Sequence, residues 1–130
     1  MSQKTIRITG WILSILLASL FAMSAFLKLT QNEAALAQAT SMGFDAGTYQ
    51  LIGVVELAAL VLFLIPRTGV LGGLLLIAYM GGAIATHLQH QQPVAMAITV
   101  QVLLWIAFIL RYPALLPMLL PSADKFIKRS

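Results

Sequence analysis

The chain has 130 residues, of which 60% are hydrophobic and only 9% are charged. Soluble domains are about 45–50% apolar and about 25% charged, so we expect lipid to cover most of this surface. The length fits one domain, residues 1–130. The net charge of +4 does not indicate nucleic-acid binding, because the basic residues flank apolar segments as juxtamembrane residues do. The absence of cysteine excludes disulfides, thiol redox chemistry and iron–sulfur clusters.

Four long apolar segments predict membrane-spanning helices, at about residues 8–27, 46–65, 70–87 and 94–110. Each has roughly 17–20 residues, which at ~1.5 Å per residue spans the ~30 Å hydrocarbon core. Backbone groups in lipid must be paired within the segment, and this requires helices. A soluble four-helix bundle would carry polar stripes at the helical period, and these segments carry none. We therefore expect an all-α integral membrane four-helix bundle, with the lipid bilayer as its main partner.

The basic residues predict the orientation of this bundle. Seven of the eight fall on one side of the predicted spans, and Lys28 alone falls on the other. Because basic residues are retained in the cytoplasm, both termini are expected inside. The seven residues are Lys4, Arg7, Arg67, Arg111, Lys125, Lys128 and Arg129.

A cleaved signal peptide is the alternative for the first segment. Lys4 and Arg7 resemble its basic region, and residues 22–24 resemble a small-residue cleavage site. The apolar stretch of about 20 residues, however, exceeds the ~7–15 residues typical of such peptides. We therefore expect the first span to be retained.

The loop between the first two spans predicts a short interfacial helix. Asn32 can cap this helix, residues 34–39 favour it, and Gly43 is placed to end it. Asp45 can then cap the second span.

Prolines mark the ends of the later elements. Pro66 closes the second span, and Pro93 suits the first turn of the fourth. Prolines at positions 113, 117 and 121 exclude one continuous helix in the tail. Residues 122–129 are expected to form a short C-terminal helix, with its basic residues toward anionic headgroups.

Glu56 is the residue whose insertion into the membrane costs the most free energy. It lies about ten residues from either end of the second span, and a carboxylate at that depth costs roughly 2.5–3.5 kcal/mol. We expect it to face the bundle interior, either paired or protonated. It could be a proton-handling or ligand-binding group, or a polar clamp between spans.

Three further polar residues fall at a similar depth, each in a different span. Lys28 ends the first span, His87 ends the third, and Gln101 lies roughly 12 Å into the fourth. Together with Glu56 they predict one interior site, and Lys28 could fold inward to pair with Glu56. Alternatively, Lys28 snorkels to the headgroups and His87 is interfacial. Tyr79 needs a partner for its hydroxyl or a place lining the interior.

Small residues recur at four-residue spacing in the third span. Such spacing lets helix backbones approach each other in lipid. Packing within the chain is preferred over a dimer face. The helix-packing candidates are Gly69, Gly73, Gly81, Gly82 and Ala85.

Several stretches together form a recognisable pattern. They are residues 24–29 (SAFLKL), 53–57 (GVVEL) with the turn at 66–67, 71–88 (LGGLLLIAYMGGAIATHL) and 111–113 (RYP). This pattern resembles the DoxX-like family of small four-span bacterial membrane proteins. The resemblance implies a bundle in the bacterial cytoplasmic membrane and a loose association with redox and respiratory systems. The name-giving relatives are similar to a subunit of a thiosulfate:quinone oxidoreductase. The matching polar positions are Lys28, Glu56 and His87.

Three functions remain open. The first is an accessory component of a membrane redox system that binds a quinone-like molecule or a redox partner subunit. Lys28, His87 and Gln101 would then donate to quinone carbonyls while Glu56 handles a proton. The second is a small transporter or lipid-binding module that forms a homo-oligomer and uses the same polar site. The third is a structural subunit. The sequence shows no nucleophile–base pair and no cofactor loop, so nothing in it indicates an enzyme that acts alone. His87 and His90 by themselves are too few ligands for a metal site.

Overall fold

The computed structural model describes residues 2–123, and within them every regular element is helical. The helices are α1 (Gln3–Leu29), α2 (Glu33–Ser41), α3 (Ala46–Leu64), α4 (Gly69–Gln89), α5 (Ala95–Arg111) and α6 (Leu115–Leu119), with 3-10 turns at Pro66–Thr68 and Pro121–Ala123. Of these, α1, α3 and α4 are long and apolar enough to cross a membrane, and α5 is a shorter apolar helix of 17 residues. The prediction of an all-α fold is therefore confirmed.

The four long helices form one bundle. Both α1 and α4 pack against α3 and α5, so α1 and α4 lie at opposite corners. The core between them is made of large apolar side chains, among them Leu17, Phe63, Leu76, Leu104 and Phe108. Each long helix also exposes large apolar side chains on its outer face. A surface of this kind is typical of helices covered by lipid.

Local capping determines where the short elements begin and end. Asn32 accepts a hydrogen bond from the Ala34 N–H at 2.9 Å, and Asp45 accepts one from the Thr48 N–H at 2.7 Å. Gly43 follows α2 with a φ of 77°, a left-handed conformation that glycine adopts without strain. The predicted cap residues and the short helix in this loop are confirmed.

Helix α4 makes very close contacts over its first turns. At Gly72 an added Cβ would overlap the backbone of Phe63 in α3, and at Gly73 it would overlap the ring of Phe108 in α5. At Gly69 it would overlap the hydroxyl of Tyr112. These glycines let α4 approach its neighbours to backbone distance, as the small-residue spacing predicted.

The same prediction is wrong for the second half of α4. Among the described residues, no atom lies within 4 Å of a Cβ built at Gly81 or Gly82, and Ala85 is exposed. The physical reason is that neighbouring helices touch α4 closely near its beginning, whereas a cavity lies beside its later turns.

One other expectation differs from the structure. Pro93 lies outside the first turn of α5, because Val94 is the N-cap and the helix begins at Ala95.

The tail contains α6 and a 3-10 turn rather than one helix, as its prolines predicted. The expected helix over residues 122–129 lies mostly outside the described residues.

Candidate functional site

A buried ion pair joins α1 to α3. The Lys28 Nζ lies 3.0 Å from the Glu56 Oε2, and the two side chains are 8% and 1% exposed. Ser24, one turn before Lys28, accepts a hydrogen bond from Lys28 Nζ and donates one to Glu56 Oε2 at 3.3 Å. The Lys28 side chain therefore folds inward to pair with Glu56 and does not extend to the headgroups.

Close helix packing makes this ion pair possible. Gly53 lies three residues before Glu56 on α3, and a Cβ added there would come within 2.7 Å of the Lys28 Cβ. The missing side chain lets the stem of Lys28 cross α3 and bring its ammonium group to the carboxylate. The ring of Tyr49 lies 5.2 Å from the Lys28 Nζ and adds a cation–π contact.

The ion pair lines a cavity of about 590 Å³. All four long helices contribute to its wall, and α2 covers one end of it. We call this end of the bundle the α2 end. Most of the wall is apolar, with side chains such as Phe21, Ile52, Met80 and Val100. Its polar residues are Ser24, Lys28, Gln38, Tyr49, Glu56, Tyr79, Thr86 and His87.

His87 is one of the polar residues that line this cavity. Its Nδ1 lies 2.6 Å from the carbonyl oxygen of Ala83, and a carbonyl can only accept a hydrogen bond. Nδ1 therefore carries the proton, and in the neutral ring Nε2 is the acceptor. Tyr79, whose hydroxyl lies near Glu56 and Ser24, adds a group that can donate or accept.

Gln101 is not brought into the site. It is absent from the residues that line the cavity, and its Nε2 donates to the Ile77 carbonyl at 3.1 Å, which links α5 to α4. The expectation that Gln101 joins Lys28, Glu56 and His87 is wrong, because the rotation of α5 turns its side chain into the seam between two helices. Among the described residues its Oε1 has no hydrogen-bond partner.

Two members of the site are missed by the sequence argument. Ser24 lies four residues before Lys28, so the two share a helix face, and this spacing could have identified it. Tyr49 is buried. Its hydroxyl donates to Gln38 Oε1 at 3.1 Å and its ring stacks on Phe44 at 5.9 Å. These contacts hold α2 over the end of the cavity.

A second buried cation lies at the opposite end of the bundle. Arg111 is 6% exposed, and its guanidinium lies 3.8 Å from the Trp11 ring and 4.5 Å from the Phe63 ring. Its Nη2 donates to the Tyr112 hydroxyl at 3.2 Å, which in turn donates to the Pro66 carbonyl. Arg111 thus connects α1, α3 and α5 away from the cavity.

The all-helical fold, the apolar outer surface and the long apolar helices define a multi-pass helical membrane protein. The model of the DoxX-like family matches residues 12–109, and the chain belongs to this family. The matched region contains the ion pair and His87. No curated protein and no solved structure matches the chain. Membership of this family establishes a membrane protein and assigns no activity to it.

Proposed function

We propose that the chain crosses the bacterial cytoplasmic membrane four times, with both termini in the cytoplasm. Helix α5 supports a fourth span, because it is apolar and its 17 residues give about 25 Å of helix. A span slightly shorter than the ~30 Å core is accommodated by local thinning of the bilayer. Lys4, Arg7 and Arg67 are exposed at the end of the bundle opposite α2, and this distribution of basic residues supports an orientation with the α2 end outside.

Cysteine labelling tests this orientation, because the chain has no cysteine of its own. A membrane-impermeant maleimide applied to intact cells should label Gln92→Cys, in the loop between α4 and α5, and should leave Lys4→Cys and Arg67→Cys unlabelled. All three should react after the membrane is opened. Labelling of Lys4→Cys or Arg67→Cys in intact cells would contradict the proposed orientation.

The cavity supports a ligand-binding role within this topology. We propose that it holds a neutral quinone-like molecule and that the chain serves as an accessory component of a membrane redox system. The observation that carries this proposal is the cavity of about 590 Å³ around the Lys28–Glu56 pair. Its volume lies in the ~300–1,000 Å³ range of small-molecule sites, which are mostly apolar with a few polar groups. The link to redox systems rests on the family resemblance alone.

The ion pair favours a neutral ligand. Lys28 and Glu56 already neutralise each other, so a charged ligand would have to separate the pair or stay uncompensated in a medium of low dielectric constant. Lys28 and Tyr79 can donate to a quinone carbonyl. His87 Nε2 can accept from the hydroxyl of the reduced ring, and the apolar wall can pack against the ring itself.

His87→Ala should weaken binding of a short-tailed benzoquinol about tenfold, because a lost hydrogen bond of ~1.4 kcal/mol changes affinity by that factor. Binding of the oxidised benzoquinone, which has no hydroxyl to donate, should change less. Calorimetric titration of the purified protein measures both affinities.

His90→Ala is the matched control for this titration. The Nδ1 of His90 lies 3.0 Å from the Thr86 carbonyl, as His87 bonds to Ala83, but His90 does not line the cavity. Its replacement should leave both affinities unchanged. Equal effects of the two substitutions on affinity would show that His87 is not part of the binding site. Absence of saturable binding by the unmodified protein would refute the ligand-binding role and favour a structural subunit.

A further inference from the structure

We infer that the ligand reaches this cavity sideways from the lipid, through an opening in the bundle wall flanked by Leu20, Gly82 and Met96. This inference rests on the proposed ligand-binding function and specifies its ligand as a membrane-dissolved neutral amphiphile. The ring would lie beside the Lys28–Glu56 pair and an apolar tail would extend into the bilayer. We call the gap between Leu20, Gly82 and Met96 the lateral opening.

The rim of the lateral opening is exposed on the outer surface of the bundle. Leu20 on α1 and Met96 on α5 line the cavity, yet they are 56% and 75% exposed. A side chain facing only an enclosed cavity would not reach such exposure, so both also face the surroundings. Both belong to apolar helices inside the family match. The cavity therefore continues to a surface that lipid covers.

Gly82 keeps the α4 side of this opening free. It lines the cavity, and among the described residues no atom lies within 4 Å of a Cβ built on it. Gly81, its neighbour, has the same free space but does not line the cavity. A side chain added at position 82 would therefore fill the opening, whereas one added at position 81 would extend elsewhere.

Loop contacts cover part of the α2 end. Met42 is buried beneath α2, and Tyr49 connects α2 to α3 through Gln38 and Phe44. His90, in the loop between α4 and α5, lies against Gly43, with its Nε2 3.1 Å from the position of a Cβ on that glycine. The two loops at this end therefore touch each other over the cavity. A ligand from water would have to displace these contacts, and a ligand from lipid would not.

Gly82→Leu tests the lateral opening in lipid vesicles that contain the purified protein. Two probes with the same benzoquinol ring are compared, one with a long polyprenyl tail and one with no tail. Gly82→Leu should weaken equilibrium binding of the long-tailed probe at least about tenfold and that of the tail-less probe clearly less, because a tail must stay in the narrowed opening whereas a ring without a tail only has to pass through it. Gly81→Leu is the matched control and should bind both probes normally. Both substitutions enter free space, so the fold should be retained.

The outcomes separate this inference from the function on which it rests. If Gly82→Leu binds the long-tailed probe as tightly as Gly81→Leu does, the lateral opening is refuted. Equal weakening of both probes by Gly82→Leu would also refute it, since position 82 would then contact the ring and not the tail. If the unmodified protein binds neither probe, the proposed function itself fails.

Discussion

Lys28→Met is expected to lower the free energy of unfolding by about 3–5 kcal/mol, because it leaves one charge of a buried pair without its partner. The Glu56 side chain is 1% exposed and lies ten residues beyond the start of α3, about 15 Å along the helix. It cannot turn to water from that depth. Reversible unfolding in mixed detergent micelles, followed by circular dichroism, measures the loss.

Removal of the other partner should cost less. Lys28 lies in the last turn of α1 beside Gly53, three residues nearer the α2 end than Glu56, and its long flexible stem can carry the ammonium group towards that end once Glu56→Gln has removed its partner. The double substitution Lys28→Met with Glu56→Leu should recover most of the stability, because well-packed apolar residues often replace a buried ion pair without loss.

The control for these variants is Lys4→Met, since Lys4 is exposed on the first turn of α1 and its replacement should change stability little. A double variant as unstable as Lys28→Met alone would contradict a direct coupling between the two charges. So would an equal loss from Lys28→Met and Glu56→Gln, because the depth difference would then have no effect.

Gly72→Ala should produce the second large effect. The added methyl group would overlap the backbone of Phe63, and backbone atoms cannot move aside as the end of a flexible side chain can. Helices α3 and α4 would have to separate and loosen the packing of Phe63 and Leu76 in the core. Overpacking of this kind costs about 1–3 kcal/mol and sometimes more.

Gly81→Ala is the matched control for this substitution. It lies on the same helix, and its added methyl group meets no described atom within 4 Å. Alanine favours a helix over glycine by about 1 kcal/mol, so stability should stay the same or rise. The same unfolding measurement compares the two variants, and equal stabilities would show that α4 and α3 are not in backbone contact at Gly72.

Features determined by local sequence could be predicted closely. The expected second span, residues 46–65, nearly coincides with α3 (Ala46–Leu64), because apolar composition and a proline set its limits. Asn32 and Asp45 act as caps because a capping side chain needs only the next few backbone N–H groups. Glu56 could be placed in the interior since its cost in lipid leaves few alternatives.

Features that depend on helix rotation could not be predicted. Depth along a helix follows from counting residues, but the direction of each side chain depends on how the helices pack. Gln101 has the expected depth and yet faces the seam between α4 and α5. Gly81 and Gly82 have the spacing of a packing motif and yet face open space. The spacing shows that close contact is possible, and the neighbouring helix decides whether it forms.

The burial of Arg111 also depends on helix packing and could not be predicted from the sequence. Its position after an apolar segment predicted a residue at the membrane surface, which is the usual place for such a charge. The rings of Trp11 and Phe63 instead surround its guanidinium. They come from α1 and α3, distant in sequence, so only tertiary structure brings these aromatic side chains to the charge.

Mass measurement of the intact protein in lipid discs, extracted without detergent, tests the ligand site most directly. The unmodified chain should carry about one neutral small molecule per protein that dissociates on gas-phase activation. The double variant Lys28→Met with Glu56→Leu should fold and retain little of that molecule, because the ion pair beside the ring is gone. An unmodified chain without a bound molecule, or a double variant that carries the same one, would contradict a ligand site built around the Lys28–Glu56 pair.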